Sequence, residues 1–441
     1  MENVIVFGAG LSGLGAKELL EKKGFNVFLV DDKTGISSND GIKIINEKKI
    51  EFIIKSPGIP WEVELLQAAK ENKIKVMSEI DLAYRYLDKK IKIISITGTN
   101  GKTTTATKIY ELLEKAGFKT ALAGNAGFSF AKLVADEKDL EYVVLELSSY
   151  QLENDPEVHS YIAGIINLTP DHLTRYESLE DYFITKFNIF NHQTSEDYAL
   201  INTDDKEIMR IVSQKEEEIK AQKKLLSTHK DADIFSENGS IYAKINGETK
   251  FIIKESEVSL KGKHNLENVL FIISIGIILK INTELIREFL SSTKPLEHRL
   301  ENFFVREKTV FINDSKGTNT ESTIKAIEAF QDSIILICGG YDKKVSNKDL
   351  VEKIVEKTEF VYLIGETADI LEKELINRNF SRYKNLKTLE NVLLDVKENL
   401  SFTKERIILF SPATSSFDQF KNFEDRGNIF KELTNKIIGE I

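Results

Sequence analysis

A chain of 441 residues with 41% hydrophobic and 29% charged residues, 24 glycines and 6 prolines holds apolar material for several cores, about three domains at roughly 150 residues each, which excludes disordered, collagen-like and mini-protein classes. Sixty Lys and Arg against seventy Asp and Glu leave a net charge of −10, so bulk charge draws the chain neither to nucleic acid nor to an anionic membrane. Any anionic substrate must be met by local cations, helix N-termini or a metal.

The chain begins M-E-N-V-I-V-F-G, without a basic segment or a cleavage site, so no secretory signal is expected. Residues 3–7 form a continuous apolar run that predicts a buried strand. A glycine turn follows, then a helical pattern over 11–23 that Gly24 ends. N-V-F-L-V-D reads as a second strand, and I-E-F-I-I-K as another that S-P-G-I-P stops. This alternation predicts a parallel sheet with covered faces, and the charged stretch 87–90 predicts a linker. A second α/β unit opens at I-K-I-I-S-I-T (91–97) and continues through E-Y-V-V-L-E-L and Y-I-A-G-I-I-N. Between 231 and 253, short β segments around Asn238-Gly239 and Asn246-Gly247 predict a hairpin insertion or a sheet edge. The apolar stretch 269–279 is too short to span a bilayer and predicts a buried helix. S-S-T-K-P (291–295) marks a second boundary, after which strand runs recur at 310–313, 333–338, 360–364 and 406–410. The only cysteine, Cys338, ends one of these runs, which predicts an inert core thiol and excludes both an intramolecular disulfide and a cysteine zinc cage. The expected domains are 1–90, 91–294 and 295–441, and the expected compartment is the cytoplasm.

Two glycine turns carry the first chemistry. Gly8-Ala9-Gly10-Leu11-Ser12-Gly13 follows a strand and opens a helix, a context that lets backbone N–H groups approach a pyrophosphate at the helix N-terminus. Asp31 ends the next strand eighteen residues past Gly13, where a ribose-binding acid is expected. The pattern specifies a diphosphate; a turn needed only for helix–strand packing is the alternative. The second turn is sharper. Gly98-Thr99-Asn100-Gly101-Lys102-Thr103-Thr104 reads as a phosphate-binding loop, with backbone amides cradling phosphate, Lys102 neutralising it and Thr103 reaching Mg²⁺. It is shorter than the common loop, with its first glycine three residues before Gly101 and Ile at position 96.

Glu146 closes E-Y-V-V-L-E-L, at a strand end where a carboxylate either holds Mg²⁺ against a triphosphate or caps a loop. His172, in N-L-T-P-D-H-L-T-R-Y, follows another strand to the same edge. Lys186, in Y-F-I-T-K-F-N-I-F, reads by default as a snorkelling lysine. Neither a Ser-His-Asp arrangement nor an H-E-x-x-H zinc motif is evident. The residues by themselves thus reach an ATP-using enzyme with a second, separate nucleotide site.

Together these segments resemble the Mur ligase family, the ATP-dependent amino-acid-adding enzymes of peptidoglycan synthesis. The resemblance rests on G-A-G-L-S-G, S-P-G-I-P, G-T-N-G-K-T-T, L-E-L-S-S-Y-Q-L-E, N-L-T-P-D-H-L-T-R-Y, K-G-K-H-N-L-E-N and E-H-R-L-E. N-D-S-K-G-T-N and S-P-A-T-S-S-F-D-Q-F-K-N-F-E-D-R-G point to its D-glutamate-adding branch. The resemblance implies a three-domain α/β architecture: an N-terminal Rossmann-like UDP-binding domain, a central P-loop ATPase-like domain and a C-terminal Rossmann-like domain for the amino acid. It implies that the first glycine turn holds UDP, with Gly8, Gly10, Leu11, Ser12, Gly13, Asp31 and Asp32 at the uridine-nucleotide positions and Asn125 at the muramoyl position. Lys102, Glu146, His172 and Lys186 match the catalytic positions. Thr103, Glu146, His172 and Lys186 as its carbamate match the Mg²⁺ ligands. Residues 98–104 with Asn268, Arg299 and Asp314 match ATP contacts, and Lys316, Thr318, Lys343, Ser416 and Phe423 the D-glutamate site.

The implied partners are small molecules, UDP-N-acetylmuramoyl-L-alanine and D-glutamate, with ATP and Mg²⁺, no nucleic acid, no membrane insertion and a monomeric chain. The implied reaction activates a carboxylate as an acyl phosphate, which the amine of D-glutamate then attacks. Rival readings are a sister ligase adding another amino acid, a folylpolyglutamate-type ligase, a nicotinamide oxidoreductase and a non-catalytic nucleotide sensor. The oxidoreductase leaves G-T-N-G-K-T-T unexplained, and the family pattern of folate ligases lacks the first glycine-turn domain.

Overall fold

The computed structural model describes residues 1–170, 175–330, 333–343 and 346–439. Val4, Ile5 and Val6 are wholly buried, as a continuous apolar run requires when both faces of a parallel strand are covered. They belong to a four-stranded sheet made of β1 (Asn3–Phe7), β2 (Asn26–Val30), β3 (Ile50–Lys55) and β4 (Lys75–Ser78), in the parallel order β2-β1-β3-β4. The chain passes from β1 to β2 on one side and then crosses to β3 on the other side of β1, so the first glycine turn sits where the strand order reverses.

The second sheet has nine strands, with the order β13-β12-β11-β10-β9-β8-β5-β7-β6. They are β5 (Lys92–Thr97), β6 (Thr120–Gly124), β7 (Tyr142–Glu146), β8 (Ile162–Ile165), β9 (Tyr198–Asn202), β10 (Gln222–Ser227), β11 (Ile234–Glu237), β12 (Ser240–Ile245) and β13 (Glu248–Lys254). Pairing is parallel from β6 across to β11 and antiparallel through β12 and β13. The hairpins turn at Asn238-Gly239 and Asn246-Gly247, all four residues at positive φ, the backbone that a two-residue hairpin demands. The helix Lys263–Ile278 buries Val269 to Ile273. Its Phe271 ring lies where a Cβ on Gly164 of β8 would intrude, 2.7 Å away.

The third sheet contains β14 (Glu301–Arg306), β15 (Thr309–Asn313), β16 (Ile334–Gly339), β17 (Thr358–Ile364), β18 (Tyr383–Lys387) and β19 (Arg406–Phe410), ordered β14-β15-β19-β16-β17-β18. Only β14 runs antiparallel to its neighbour. Cys338 is buried in β16, and burial pushes its thiol up to about 12, so it is unreactive. The chain divides into two compact units: residues 1–258 with 265–293, and residues 259–264 with 294–441. The first unit holds the first two sheets around one core that runs through the helices Leu11–Lys22, Glu79–Tyr86 and Phe130–Ala135.

Candidate active site

The first glycine turn is built by close approach. Gly8 adopts φ +102, and a Cβ there would meet Ser56 Oγ at 2.6 Å; a Cβ on Gly13 would lie 1.8 Å from Gly8 O. Gly10 differs: it has ordinary backbone and open space around it. Leu11 is 82% exposed at the start of the helix. Asp31 Oδ2 accepts from the N–H of Ala9 at 3.0 Å, and Oδ1 accepts from the N–H groups of Lys33 and Thr34, each at 3.0 Å. These bonds, the one from Ala9 foremost, hold its carboxyl below the usual carboxylate range. Asp32 accepts from Ser38 N–H at 2.7 Å and Ser38 Oγ at 2.9 Å. Asp31 therefore ties the turn to the next loop, a task the motif spacing does not reveal.

The second turn joins β5 to the helix Lys102–Lys115, with Gly98 at φ +150 and Gly101 at φ +82. Segments after β8 pin it. Thr99 N–H donates to Asn167 O and Asn100 N–H to Asn167 Oδ1, both at 2.9 Å, while Thr169 N–H donates to Thr99 Oγ1 at 3.0 Å. Asn268 closes the loop from the helix Lys263–Ile278: its Oδ1 accepts from Thr105 Oγ1 at 3.1 Å and occupies the space a Cβ on Gly101 would need, 2.3 Å away. Lys102 curls back, donating to Gly98 O at 2.9 Å and Thr99 O at 2.8 Å. Lys186, 1% exposed, donates to the same Gly98 O at 3.0 Å and stands 4.7 Å over the Tyr182 ring. Thr103 and Thr104 form the first turn of the helix.

Glu146 ends β7 beside Ile96 of β5 and Gly124 of β6, and it is fully buried. Asn125 meets it twice, donating its N–H to Glu146 O at 2.8 Å and its Nδ2 to Oε1 at 2.7 Å. Glu146 Oε2 is buried with no hydrogen-bond partner among the described residues. A buried carboxylate oxygen left without a donor suits a hard cation. Among the described residues no cluster of three His, Cys, Asp or Glu side chains exists, so oxygen donors besides acids would complete such a site. His172 lies outside the described residues.

In the second unit, the C-terminal ends of β15, β16 and β19 converge. Asp314 follows β15 and accepts from Ser411 Oγ at 2.6 Å; burial pushes its carboxyl up to about 7. Lys316 Nζ lies 3.7 Å over the Phe423 ring, and Lys343 donates to Thr318 O at 2.8 Å, so four of the five expected D-glutamate residues meet in pairs. Ser416 is buried in the loop after β19. Arg299 is displayed between His298 (φ +62) and Leu300 (φ +45), strained backbone that neighbours must enforce. They do so through His298, whose Nδ1 pairs with Asn313 Nδ2 at 2.9 Å and whose carbonyl accepts from Lys316 N–H at 3.1 Å.

Sequence reasoning passed over Arg426. It is fully buried and donates to Ser315 Oγ, Ser315 O and Thr414 O at 2.8–3.0 Å, locking the loop before Lys316 to the loop before Ser416. Its signal was a charged residue on the inner side of the helix Phe423–Ile438, in F-E-D-R-G. Asn167, which receives the phosphate loop, likewise stood unread at the end of Y-I-A-G-I-I-N.

Residues 96–276 match the family of the Mur ligase middle domain. The UDP-N-acetylmuramoylalanine–D-glutamate ligase of Fusobacterium nucleatum is 46% identical over the whole of both chains. The ligase of that name from Alkaliphilus oremlandii is 33% identical over 98% of each. Two solved structures share the fold. UDP-N-acetylmuramate–alanine ligase MurC from Thermotoga maritima has a TM-score of 0.61 at 15% identity over 99% of each chain. The MurF ligase from Thermotoga maritima in complex with ADP has a TM-score of 0.62 at 16% identity, covering 95% of this chain and 97% of that one. With glycine turns, strand-end acid and third-sheet loops all carried within an end-to-end match, the chain belongs to the Mur ligase family, in the group of the UDP-N-acetylmuramoylalanine–D-glutamate ligases.

Proposed function

We propose that this chain joins D-glutamate to UDP-N-acetylmuramoyl-L-alanine at the expense of ATP, as a cytoplasmic monomer in peptidoglycan precursor synthesis. One observation carries the reading: the phosphate loop and the orphaned Glu146 oxygen stand on adjacent strands, β5 and β7, in a chain that matches D-glutamate ligases along its full length. Its three sheets serve as three functional domains, 1–90 for the UDP moiety, 91–294 for ATP and 295–441 for the amino acid.

A carboxylate is a poor electrophile. The substrate carboxylate attacks the γ-phosphorus of ATP, ADP leaves, and the amine of D-glutamate attacks the resulting acyl phosphate and expels phosphate. Gly8, Gly10 and Gly13 bring backbone N–H groups to the UDP diphosphate, with Leu11, Ser12, Asp31 and Asp32 around the nucleoside. Lys102 trades its loop carbonyls for phosphate oxygens, and Asn268 keeps the loop shaped to receive them. Arg299 and Asp314 complete the ATP contacts. Asn125 orients the muramoyl part and the Glu146 carboxylate together. Bound Mg²⁺, held by Thr103 and Glu146 and at a second position by His172 and the carbamate of Lys186, would offset the repulsion between carboxylate and triphosphate. Lys186 is buried, with its Nζ at Gly98 O and over the Tyr182 ring; as the neutral amine it would add CO₂ and lose a proton to give the carbamate. Lys316, Thr318, Lys343, Ser416 and Phe423 receive D-glutamate.

The test is phosphate release and product mass with UDP-N-acetylmuramoyl-L-alanine, ATP and each candidate amino acid in turn. Turnover with D-glutamate alone is expected. Preference for L-alanine, a diamino acid or a folate substrate would replace this reading by a sister ligase.

A further inference from the structure

The segment S-P-G-I-P-W (56–61), which stops β3, is held at both ends. At one end it leans on the first glycine turn: Ser56 N–H donates to Phe7 O at 2.9 Å and Ser56 Oγ to Gly8 O at 3.4 Å. At the other, Ile59 O accepts from Lys55 Nζ at 2.7 Å and from Arg175 Nη2 at 3.1 Å. Arg175 also grips Glu153 through a fork, Nε to Oε1 at 3.0 Å and Nη2 to Oε2 at 2.8 Å. Trp61 Nε1 donates to Glu153 Oε2 at 3.2 Å. Glu153 directly follows the helix Ser149–Leu152, whose start is fixed by a Ser148–Gln151 capping box just past Glu146. The Arg175 and Glu153 side chains are 14% and 12% exposed, and the guanidinium lies 5.2 Å over the Tyr150 ring. A forked pair so shielded is directional and little screened by salt.

From these contacts we propose that Arg175, acting through Glu153, is a positioning residue for the ligation. It sets the S-P-G-I-P loop, and through Ser56 the first glycine turn, in fixed register with the strand end that carries Glu146. The proposal rests on the ligase reading above. In that reaction the substrate is held by its nucleotide at the β1 turn while its carboxylate reacts at the β5 loop. Binding energy gained at one end speeds chemistry at the other only when the two ends are held in register. A pair that merely added stability would change folding alone; a clasp between two sites changes kcat while each site still binds its own ligand.

Arg175→Gln removes the fork, and Trp61→Phe removes one hydrogen bond to Glu153 while keeping a ring. The wild-type enzyme is first assayed with UDP-N-acetylmuramoyl-L-alanine, ATP and D-glutamate; no product would overturn the ligase reading and this proposal with it. With an active wild type, Arg175→Gln is expected to lose about ten- to hundredfold in kcat, the scale of a misplacement near 1 Å. Trp61→Phe should lose less, and the double variant less than the product of the two single losses, because both side chains bind the one Glu153 carboxylate. The Kd for UDP alone and the KM for ATP should stay close to wild type. Full turnover in Arg175→Gln, a loss of UDP affinity as large as the loss of kcat, or additive effects in the double variant would each overturn the assignment. Should Arg175→Gln not fold, Glu153→Gln combined with Trp61→Phe completes the same cycle.

Discussion

Lys102→Ala is expected to abolish ATP-dependent turnover while leaving UDP-N-acetylmuramoyl-L-alanine binding intact, because the first glycine turn lies on another sheet. Calorimetric titration of the variant with that substrate checks this, and a parallel loss of binding would contradict the two-site arrangement. Lys186→Ala should be nearly inactive and partly rescued by formate or acetate, which can fill a vacated oxygen-ligand position; an active Lys186→Arg enzyme would rule out the carbamate. Two buried carboxyls, Asp314 and Glu79, are each pushed up to about 7 by burial. Their ordinary values are 3.8 and 4.5, so across that interval the folded chain holds protons the unfolded chain has lost. The stabilisation they give is full below the ordinary values and is lost as pH rises through about 7. The Asp314→Asn, Glu79→Gln double variant should therefore have a flatter stability profile than wild type from pH 4.5 to 7, read from urea midpoints. Lys102 stood out in the sequence through its glycine loop, and Asp314 through the family resemblance. Arg426, Glu153 and Arg175 did not, since each acts through partners far away in the chain.

At the scale of elements, the glycines of the first turn divide by what surrounds them. Gly13→Ala must part the helix from Gly8 O and should lower both Tm and UDP affinity, whereas Gly10→Ala meets open space and should fold normally while still weakening UDP binding. Thermal denaturation beside UDP titration separates the two; equal Tm losses would mean that Gly10 also serves packing. Strands buried on both faces, such as β1, β5, β7 and β16, announced themselves as continuous apolar runs. The Asn-Gly hairpins emerged as the outer edge of the second sheet, where the turns and the buried Ile241 and Ala243 set register together. β10 (Q-K-K-L-L-S) and β18 (Y-K-N-L-K) escaped notice because lysines interrupt them and no apolar run forms. Their place in a sheet is set by neighbours, which propensity does not record.

For the molecule as a whole, the division into two compact units, each with its own core, predicts unfolding in more than one step. Arg426→Ala strands buried carbonyls in the second unit, at about 1–3 kcal/mol for each unsatisfied group. Scanning calorimetry should show one transition moving down while the other stays; a single transition shifting as a whole would mean that the units unfold together. Among the described residues the largest sheet ends at β13, where Arg287 Nε caps Ile252 O at 2.7 Å and no further strand pairs. β13 carries Glu248, Lys250 and Lys254 along a mostly exposed strand. An unpaired edge is a template on which another copy can add a strand, and two such edges laid side by side would have to accommodate these charges between them. Such charges disfavour edge-to-edge pairing of two copies: replacing Lys250 and Lys254 with valine should leave catalysis intact and turn the protein toward aggregation.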